Sequence, residues 1–163
     1  MYFLLFKIND VIICCQKERN TLFLNGGQYM NKNEITKIVL SELLEEFYPK
    51  DAKKIDWMGS PLTNKNRPTY HHIEEVHELR THKKDTSATR ENGAILGVKS
   101  HRKLNILQTA DPDLYECWNY LFKVINGMGV YPIDDVWKMV YSLKEKTEDT
   151  IYQKKLSRKE NNC

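Results

Sequence analysis

The stretch at residues 92–105, NGAILGVKSHRKLN, decides the fold predicted for this chain. Its apolar run between two glycines, at residues 93–98, is typical of a strand. Ser100 then stands where it can cap a helix that carries His101, Leu104 and Leu107. Upstream, residues 69–73, TYHHI, are predicted to form another strand. The polar residues 74–91 between them lack strong periodicity and predict a long loop.

Helices are predicted on both sides of these strands. In the first one, after Met30, Asn33 is a good cap and Pro49 ends the helix. Residues 50–68 predict a loop packed locally on the domain through Trp57 and Met58. Asp111 caps the next helix, with Pro112 at its first position and Asn126-Gly127 as its end. Pro132 opens the last helix. The apolar stripes of these two helices comprise Leu114, Trp118, Leu121, Phe122 and Ile125, and Ile133, Val136, Trp137, Val140 and Tyr141.

The overall composition predicts one modest domain. The chain has 163 residues, of which 40% are hydrophobic and 29% charged, and its formal net charge is +3. This suits a globular protein, and the weak basic charge permits a nucleic-acid partner without indicating one. We expect the domain to span residues 30–152 and residues 153–163 to form a flexible tail.

The N-terminal residues 1–29 differ from the rest. Gly26-Gly27 shortly before Met30 can reflect a ribosome-binding sequence in a bacterial or viral gene, so one hypothesis is that Met30 is the true start and 1–29 a translated leader. The alternative is one or two short strands, because aromatic and β-branched residues are frequent there. The apolar run at residues 2–6 is too short for a spanning helix. A signal peptide would have basic residues before its apolar region, and none precede this run.

The four cysteines form no C-x-x-C pair and no disulfide pattern. The cysteine pattern therefore does not predict a structural zinc site, and a reducing, cytoplasmic setting is expected. No membrane partner is expected either.

The histidines carry the chemistry. His71 and His72 are adjacent, Asn92 precedes the second strand, and His101 follows nine residues later. An imidazole near its ordinary pKa can take a proton from water, and a divalent ion can bind a phosphate oxygen. An asparagine at a strand start can orient the loop that holds the basic histidine.

Simpler interpretations remain open for the same residues. His71 and His72 could be ordinary strand residues, and neighbours on a regular strand point to opposite faces, so both serve one centre only if the strand ends or twists there. Asn92-Gly93 could be only a turn. His77 and His82, together with Glu74, Glu75 and Glu78, are read as solvated loop residues.

The combination of YHHI at 70–73, ENGAIL at 91–96 and SHRKLN at 100–105 resembles the HNH endonuclease family of bacteria and their phages. The resemblance implies an α+β fold in which a small ββα-metal unit is surrounded by several helices. It implies His72 as the general base, His71 and His101 as metal ligands, and Asn92 as the asparagine of the motif. Asn105 stands where many members have a further histidine ligand, and the loop lacks the Gly-Gly common in relatives.

The resemblance implies metal-dependent cleavage of DNA, with RNA as another substrate to consider. The implied ion is Mg²⁺, and histidine ligands also admit Zn²⁺, Mn²⁺ or Ni²⁺. Lys99, Arg102 and Lys103 would contact phosphates in such an enzyme and are otherwise a solvated face. The alternatives are a non-catalytic nucleic-acid-binding module that retains the HNH scaffold and a small helical interaction protein.

Overall fold

The computed structural model describes residues 4–8, 11–15, 22–23, 29–48, 50, 52–82, 87–129 and 134–160, with side chains described from residue 31 onward except at 76–78. Within these residues the protein is α+β. The elements are β1 Leu4–Ile8, β2 Val11–Cys15, β3 Leu22–Phe23, β4 Tyr29–Met30, α1 Lys32–Phe47, β5 Pro68–His72, α2 Val76–Thr81, β6 Gly93–Gly97, α3 Val98–Ala110, α4 Pro112–Met128 and α5 Asp134–Glu160.

The N-terminal strands form an antiparallel sheet in the order β1-β2-β3-β4. The pairing of β1 with β2 is the longest, with Leu4 opposite Cys15 and Ile8 opposite Val11. This is more strand than the one or two short strands considered from the sequence. The hypothesis that translation starts at Met30 is independent of these strands and stays a prediction.

The predicted strand pair and the helix behind it are present. β5 and β6 are antiparallel, with Tyr70 opposite Ile95 and His72 opposite Gly93. All five residues of β6 are buried, as a strand covered on both faces requires. Because α3 begins directly after β6, the helix packs back against the strands that precede it. The order strand, strand, helix therefore places β5, β6 and α3 in one unit.

The segment at 74–91 is not wholly a loop, contrary to the sequence prediction. It contains α2, a helix of six residues. Leu79 is its buried anchor, with 5% of its surface exposed, and its backbone N–H donates to the carbonyl of Glu75. A helix of six residues is too short to give a periodicity that a sequence analysis could detect.

Two predicted helix caps lie at other residues. α1 is capped by Asn31 rather than Asn33: the Asn31 side chain accepts from the Glu34 N–H, and the Glu34 carboxylate accepts from the Asn31 N–H. This reciprocal pair satisfies two backbone donors that would otherwise be open. α3 begins at Val98 after Gly97, and Ser100 is buried inside its first turn instead of capping it.

The remaining helix ends agree with the sequence in part. Asp111 caps α4 and Pro112 is its first residue, which confirms the prediction. α4 continues past Asn126-Gly127 and ends at Met128, followed by Gly129 at a φ of 64°. Asn126 does not end the helix because its side chain is buried and donates to the carbonyls of Arg90 and Gly93.

The helices enclose one hydrophobic core around β5 and β6. Trp57 and Met58 are buried in it, as predicted, and so is the stripe of α4. Tyr141 of α5 was expected in the core but has 53% of its surface exposed. α5 extends to Glu160, so residues 153–160 are helical where a flexible tail was expected. Among the helices described, none combines the length and apolar character needed to cross a membrane.

Candidate functional site

His71 lies on β5 and faces the helices α3 and α4. Only 7% of its surface is exposed. Its ring stands nearly perpendicular to that of His101, with 5.2 Å between the ring centroids and an interplanar angle of 84°. The ring of Phe122 on α4 lies 5.8 Å from that of His71, between centroids. Two histidines 30 positions apart in the chain are thus brought side by side.

Each of these imidazoles makes one polar contact through one ring nitrogen. Nε2 of His71 is 3.1 Å from Oδ1 of Asn119 on α4. Nδ1 of His101 is 3.1 Å from the hydroxyl of Thr69 on β5. These contacts leave one nitrogen of each ring for a ligand.

Both histidines are neutral at physiological pH. Burial lowers the pKa of His71 from 6.5 to about 4. The hydrogen bond with Asn119 raises this pKa, and electrostatic interaction with the neighbouring His101 and His72 lowers it further. Burial also lowers the pKa of His101. A neutral imidazole keeps the lone pair that a metal ion needs.

We expect acid to destabilise the metal-free protein through His71. Because its pKa is lowered in the folded state, the unfolded chain binds a proton between about pH 6.5 and pH 4 that the folded chain does not. Stability therefore falls as the pH drops through this window, by roughly 3 kcal/mol in total. Urea unfolding in EDTA at pH 7.5 and pH 4.5 measures this, and His71→Asn should flatten the dependence. An equal slope in both proteins would remove His71 as its cause.

Asn92 fixes the chain where it leaves β5. Its side-chain oxygen accepts from the backbone N–H of Glu74 at 2.6 Å, and its amide N–H donates to the carbonyl of Glu74 at 3.1 Å. Its own carbonyl accepts from the N–H of Ile73 at 3.0 Å. One side chain thus satisfies both backbone groups of a residue two positions after His72.

Asn92→Ala is therefore expected to destabilise the protein by about 1–2 kcal/mol, since both side-chain hydrogen bonds to Glu74 are lost. Asn92→Asp keeps the accepting oxygen and should cost less. Urea unfolding curves for the two variants measure the difference. Equal stability of Asn92→Ala and the native chain would show that other contacts hold the loop.

His72 is not grouped with the other two histidines. It is the last residue of β5, is still paired with Gly93, and packs edge-on against Tyr70 at 4.9 Å between centroids. Residues two apart on a strand share a face, so His72 and Tyr70 lie on the side opposite His71. The regular strand therefore keeps the adjacent histidines apart at this point.

Two other predicted site residues are placed differently from their expected roles. Asn105 follows His101 by one helical turn on α3 and is exposed, while the asparagine that contacts His71 is Asn119. Lys103 forms an ion pair with Glu148 of α5, and Lys99 and Arg102 are exposed.

Asn119 and Glu75 are the residues that the sequence analysis missed. Asn119 is buried on the apolar side of α4, with 6% of its surface exposed. A polar residue at a buried position of a helix stripe was the available signal, because such a group needs a partner. Glu75, read as solvated, instead accepts a hydrogen bond from the side chain of Gln108 at 2.8 Å.

A divalent ion at this place would be held by few protein ligands. Within the part of the chain that the structure describes, no group of three or more His, Cys, Asp or Glu side chains is arranged to hold a metal. His71 and His101 supply two neutral nitrogen donors. Imidazole suits Zn²⁺, Mn²⁺ or Ni²⁺ better than Mg²⁺, which prefers oxygen ligands.

No family model, curated protein or solved structure matches this chain. The resemblance to HNH endonucleases therefore rests on the sequence motif at residues 70–105.

Proposed function

We propose that this protein is a metal-dependent endonuclease of the HNH type that hydrolyses phosphodiester bonds of DNA. The observation that supports it is the packing of His71 against His101 inside a strand-strand-helix unit, with their rings 5.2 Å apart. Asn92, which stands nine residues before His101, also supports the proposal, because its hydrogen bonds with Glu74 fix the loop next to His72.

The residues divide into distinct roles under this proposal. His71 and His101 would hold the ion, which supplies Lewis-acid stabilisation of the phosphate and the leaving oxygen when bound. His72 would take the proton from the attacking water, and it stands at the end of β5, where the chain leaves the sheet. Asn92 orients that strand end. Lys99 and Arg102, exposed near the start of α3, would contact the DNA backbone.

The test is nicking of supercoiled plasmid DNA in Mg²⁺, Mn²⁺, Ni²⁺ or Zn²⁺, with EDTA as the blank. His72→Ala is expected to reduce cleavage by about 10²–10⁴-fold while DNA binding is retained, because only the base is removed. His82→Ala, which replaces an exposed histidine, is the matched control and should cleave normally. A native protein that cleaves neither DNA nor RNA with any of these ions would contradict the proposal.

A non-catalytic nucleic-acid-binding module is a second candidate, and one observation favours it. His72 packs against Tyr70 on the strand face opposite His71. If the protein is such a binding module, the native protein and His72→Ala would bind DNA equally and neither would cut it. The fall of DNA affinity with rising salt concentration would then reflect the phosphate contacts of Lys99 and Arg102. Replacing these residues by alanine should make this dependence less steep.

A further inference from the structure

The turn at residues 63–66 is closed by hydrogen bonds between its own two ends. The N–H of Thr63 donates to the carbonyl of Asn66 at 3.2 Å, and the N–H of Asn66 donates to the carbonyl of Thr63 at 3.0 Å. The same N–H of Asn66 lies 3.1 Å from the hydroxyl of Thr63. Asn64 and Lys65 form the tip of the turn, and both are exposed. The side chain of Lys65 is therefore carried on a backbone of fixed shape.

Asn66 fastens this turn to the first residues of α3. Its side chain is buried, and its Oδ1 accepts from the backbone N–H of Lys99 at 2.9 Å. Gly97, the residue before α3, has no side chain to cap the helix, so Asn66 satisfies this open donor from the loop. The approach is close, because a Cβ on Gly97 would clash with the side chain of Asn66. The turn and the start of the helix thus keep one relative position.

Arg67 is held at the same place by its backbone. Its carbonyl accepts from the N–H of Val98, the first residue of α3, at 3.1 Å. Two residues further along the chain, the hydroxyl of Thr69 lies 3.1 Å from Nδ1 of His101. The turn and Arg67 therefore lie beside the start of α3, next to the candidate site.

Positive charge is concentrated on this part of the protein. Residues 57–73 and 92–110 together contain five lysines and arginines and no aspartate or glutamate, whereas the whole chain has a formal net charge of +3. One of the five, Lys103, is paired with Glu148. The other four are exposed, and none has an ion-pair partner among the residues that the structure describes. These four are Lys65, Arg67, Lys99 and Arg102. Such a surface of one sign attracts a polyanion.

The side chains exposed on this surface favour the backbone of a duplex over the bases of a single strand. Within residues 61–67 and 98–102, the exposed side chains are those of lysine, arginine, asparagine, threonine and proline, and none is aromatic. Proteins that bind single strands stack the bases on aromatic rings, whereas lysine and arginine contact phosphates. The polyanion that fits this surface is therefore double-stranded DNA.

We propose that residues 63–67 form a phosphate-binding turn, which contacts the backbone of duplex DNA together with Lys99 and Arg102 at the start of α3. Lys65 and Arg67 supply the charge, and Asn66 is a positioning residue that holds the turn against the helix. The inference rests on the proposed function in taking DNA as the ligand. It applies equally to a nuclease and to a non-catalytic binding module.

The salt dependence of DNA binding tests the charges. Fluorescence anisotropy of a short labelled duplex in EDTA gives the affinity at several salt concentrations. The double variant Lys65→Ala/Arg67→Ala should reduce the slope of log affinity against log salt concentration by about 2, since each phosphate contact contributes about 0.9. Lys37→Ala/Lys123→Ala removes two exposed lysines of α1 and α4, and this matched control should keep the native slope. A native slope in the first variant, or an equal reduction in the control, would overturn the proposal.

A variant without any change of charge tests the positioning. Asn66→Ala should weaken binding of the same duplex by roughly 2- to 10-fold, because the turn must then be ordered when DNA binds. Asn33→Ala, at an exposed asparagine of α1, should bind like the native protein. Thermal melting followed by circular dichroism shows whether each variant is folded. Native affinity in a folded Asn66→Ala would contradict the positioning role of Asn66.

The results separate this surface from the nuclease centre. If Lys65→Ala/Arg67→Ala binds DNA more weakly but the native protein never cleaves it, the nuclease centre is contradicted and the phosphate-binding turn stands. If this variant binds and cleaves DNA like the native protein, only the phosphate-binding turn is contradicted. Sedimentation with vesicles of phosphatidylcholine and phosphatidylserine is the last arm. Native protein that binds these vesicles but no DNA duplex would show a membrane surface as the partner and overturn the proposal.

Discussion

Asp56→Ala is expected to destabilise the protein by about 3–5 kcal/mol, because several buried donors lose their common acceptor. Asp56 is fully buried. Its Oδ1 accepts from the backbone N–H groups of Met58 at 3.1 Å and Ser60 at 2.8 Å. Its Oδ2 accepts from the N–H of Gly97 at 2.8 Å. Urea unfolding monitored by tryptophan fluorescence measures the loss.

The controls for this prediction separate charge from hydrogen bonding. Asp149→Ala replaces an exposed aspartate of α5 and should change stability by less than about 0.5 kcal/mol. Asp56→Asn keeps one accepting oxygen but turns an N–H toward another donor, so an intermediate loss is expected. A native-like Asp56→Ala would show that water replaces the carboxylate at this junction.

The position of Asp56 also matters for the candidate site. Gly97 is the residue before α3, and α3 carries His101 in its first turn. The carboxylate thus connects the 52–67 loop to the junction that sets the direction of this helix. We expect Asp56 variants that still fold to lose part of the His71–His101 geometry.

His101→Ala is expected to abolish metal binding and to lower DNA cleavage by at least about 100-fold. Under the proposed function only His71 would remain as a protein ligand of the ion. Asn105 would not replace His101, because the structure places it on the exposed side of α3. Half-buried His101 contributes little to the core, so the variant should stay folded. Plasmid nicking and metal titration of the same preparation measure both effects.

Two comparisons make this prediction specific. His82→Ala removes an exposed histidine and should leave both measurements unchanged. Asn105→Ala tests the residue that the HNH resemblance assigns as a further ligand, and a loss as large as that of His101→Ala would restore Asn105 to the ligand set. Cleavage by His101→Ala at the native rate would contradict the role proposed for His101.

The candidate site was predictable where the signals are local. The apolar run before His101 predicts β6, and the TYHHI segment predicts β5, because a buried strand needs only a few consecutive apolar or β-branched residues. The spacing from Asn92 to His101 then places the histidine in the first turns of a helix. The Asp111-Pro112 start of α4 is equally local, since cap and first residue are neighbours.

What was missed depends on contacts between distant residues. Asn119 meets His71 across 48 positions of the sequence, and Asp56 meets Gly97 across 41. Neither pairing has a periodic or spacing signal. The same holds for Asn126, whose burial against Arg90 and Gly93 lets α4 run past the predicted stop.

The sequence by itself determined the strand-strand-helix order, because hydrophobic periodicity and caps act over a few positions, and it supplied the residues that we propose to carry the chemistry. Only the tertiary structure decided which of those residues meet. It packs His71 against His101, and it places His72 with Tyr70 on the other face of β5. The reason is geometric: strand alternation separates neighbours, whereas helix packing joins side chains that are far apart in the chain.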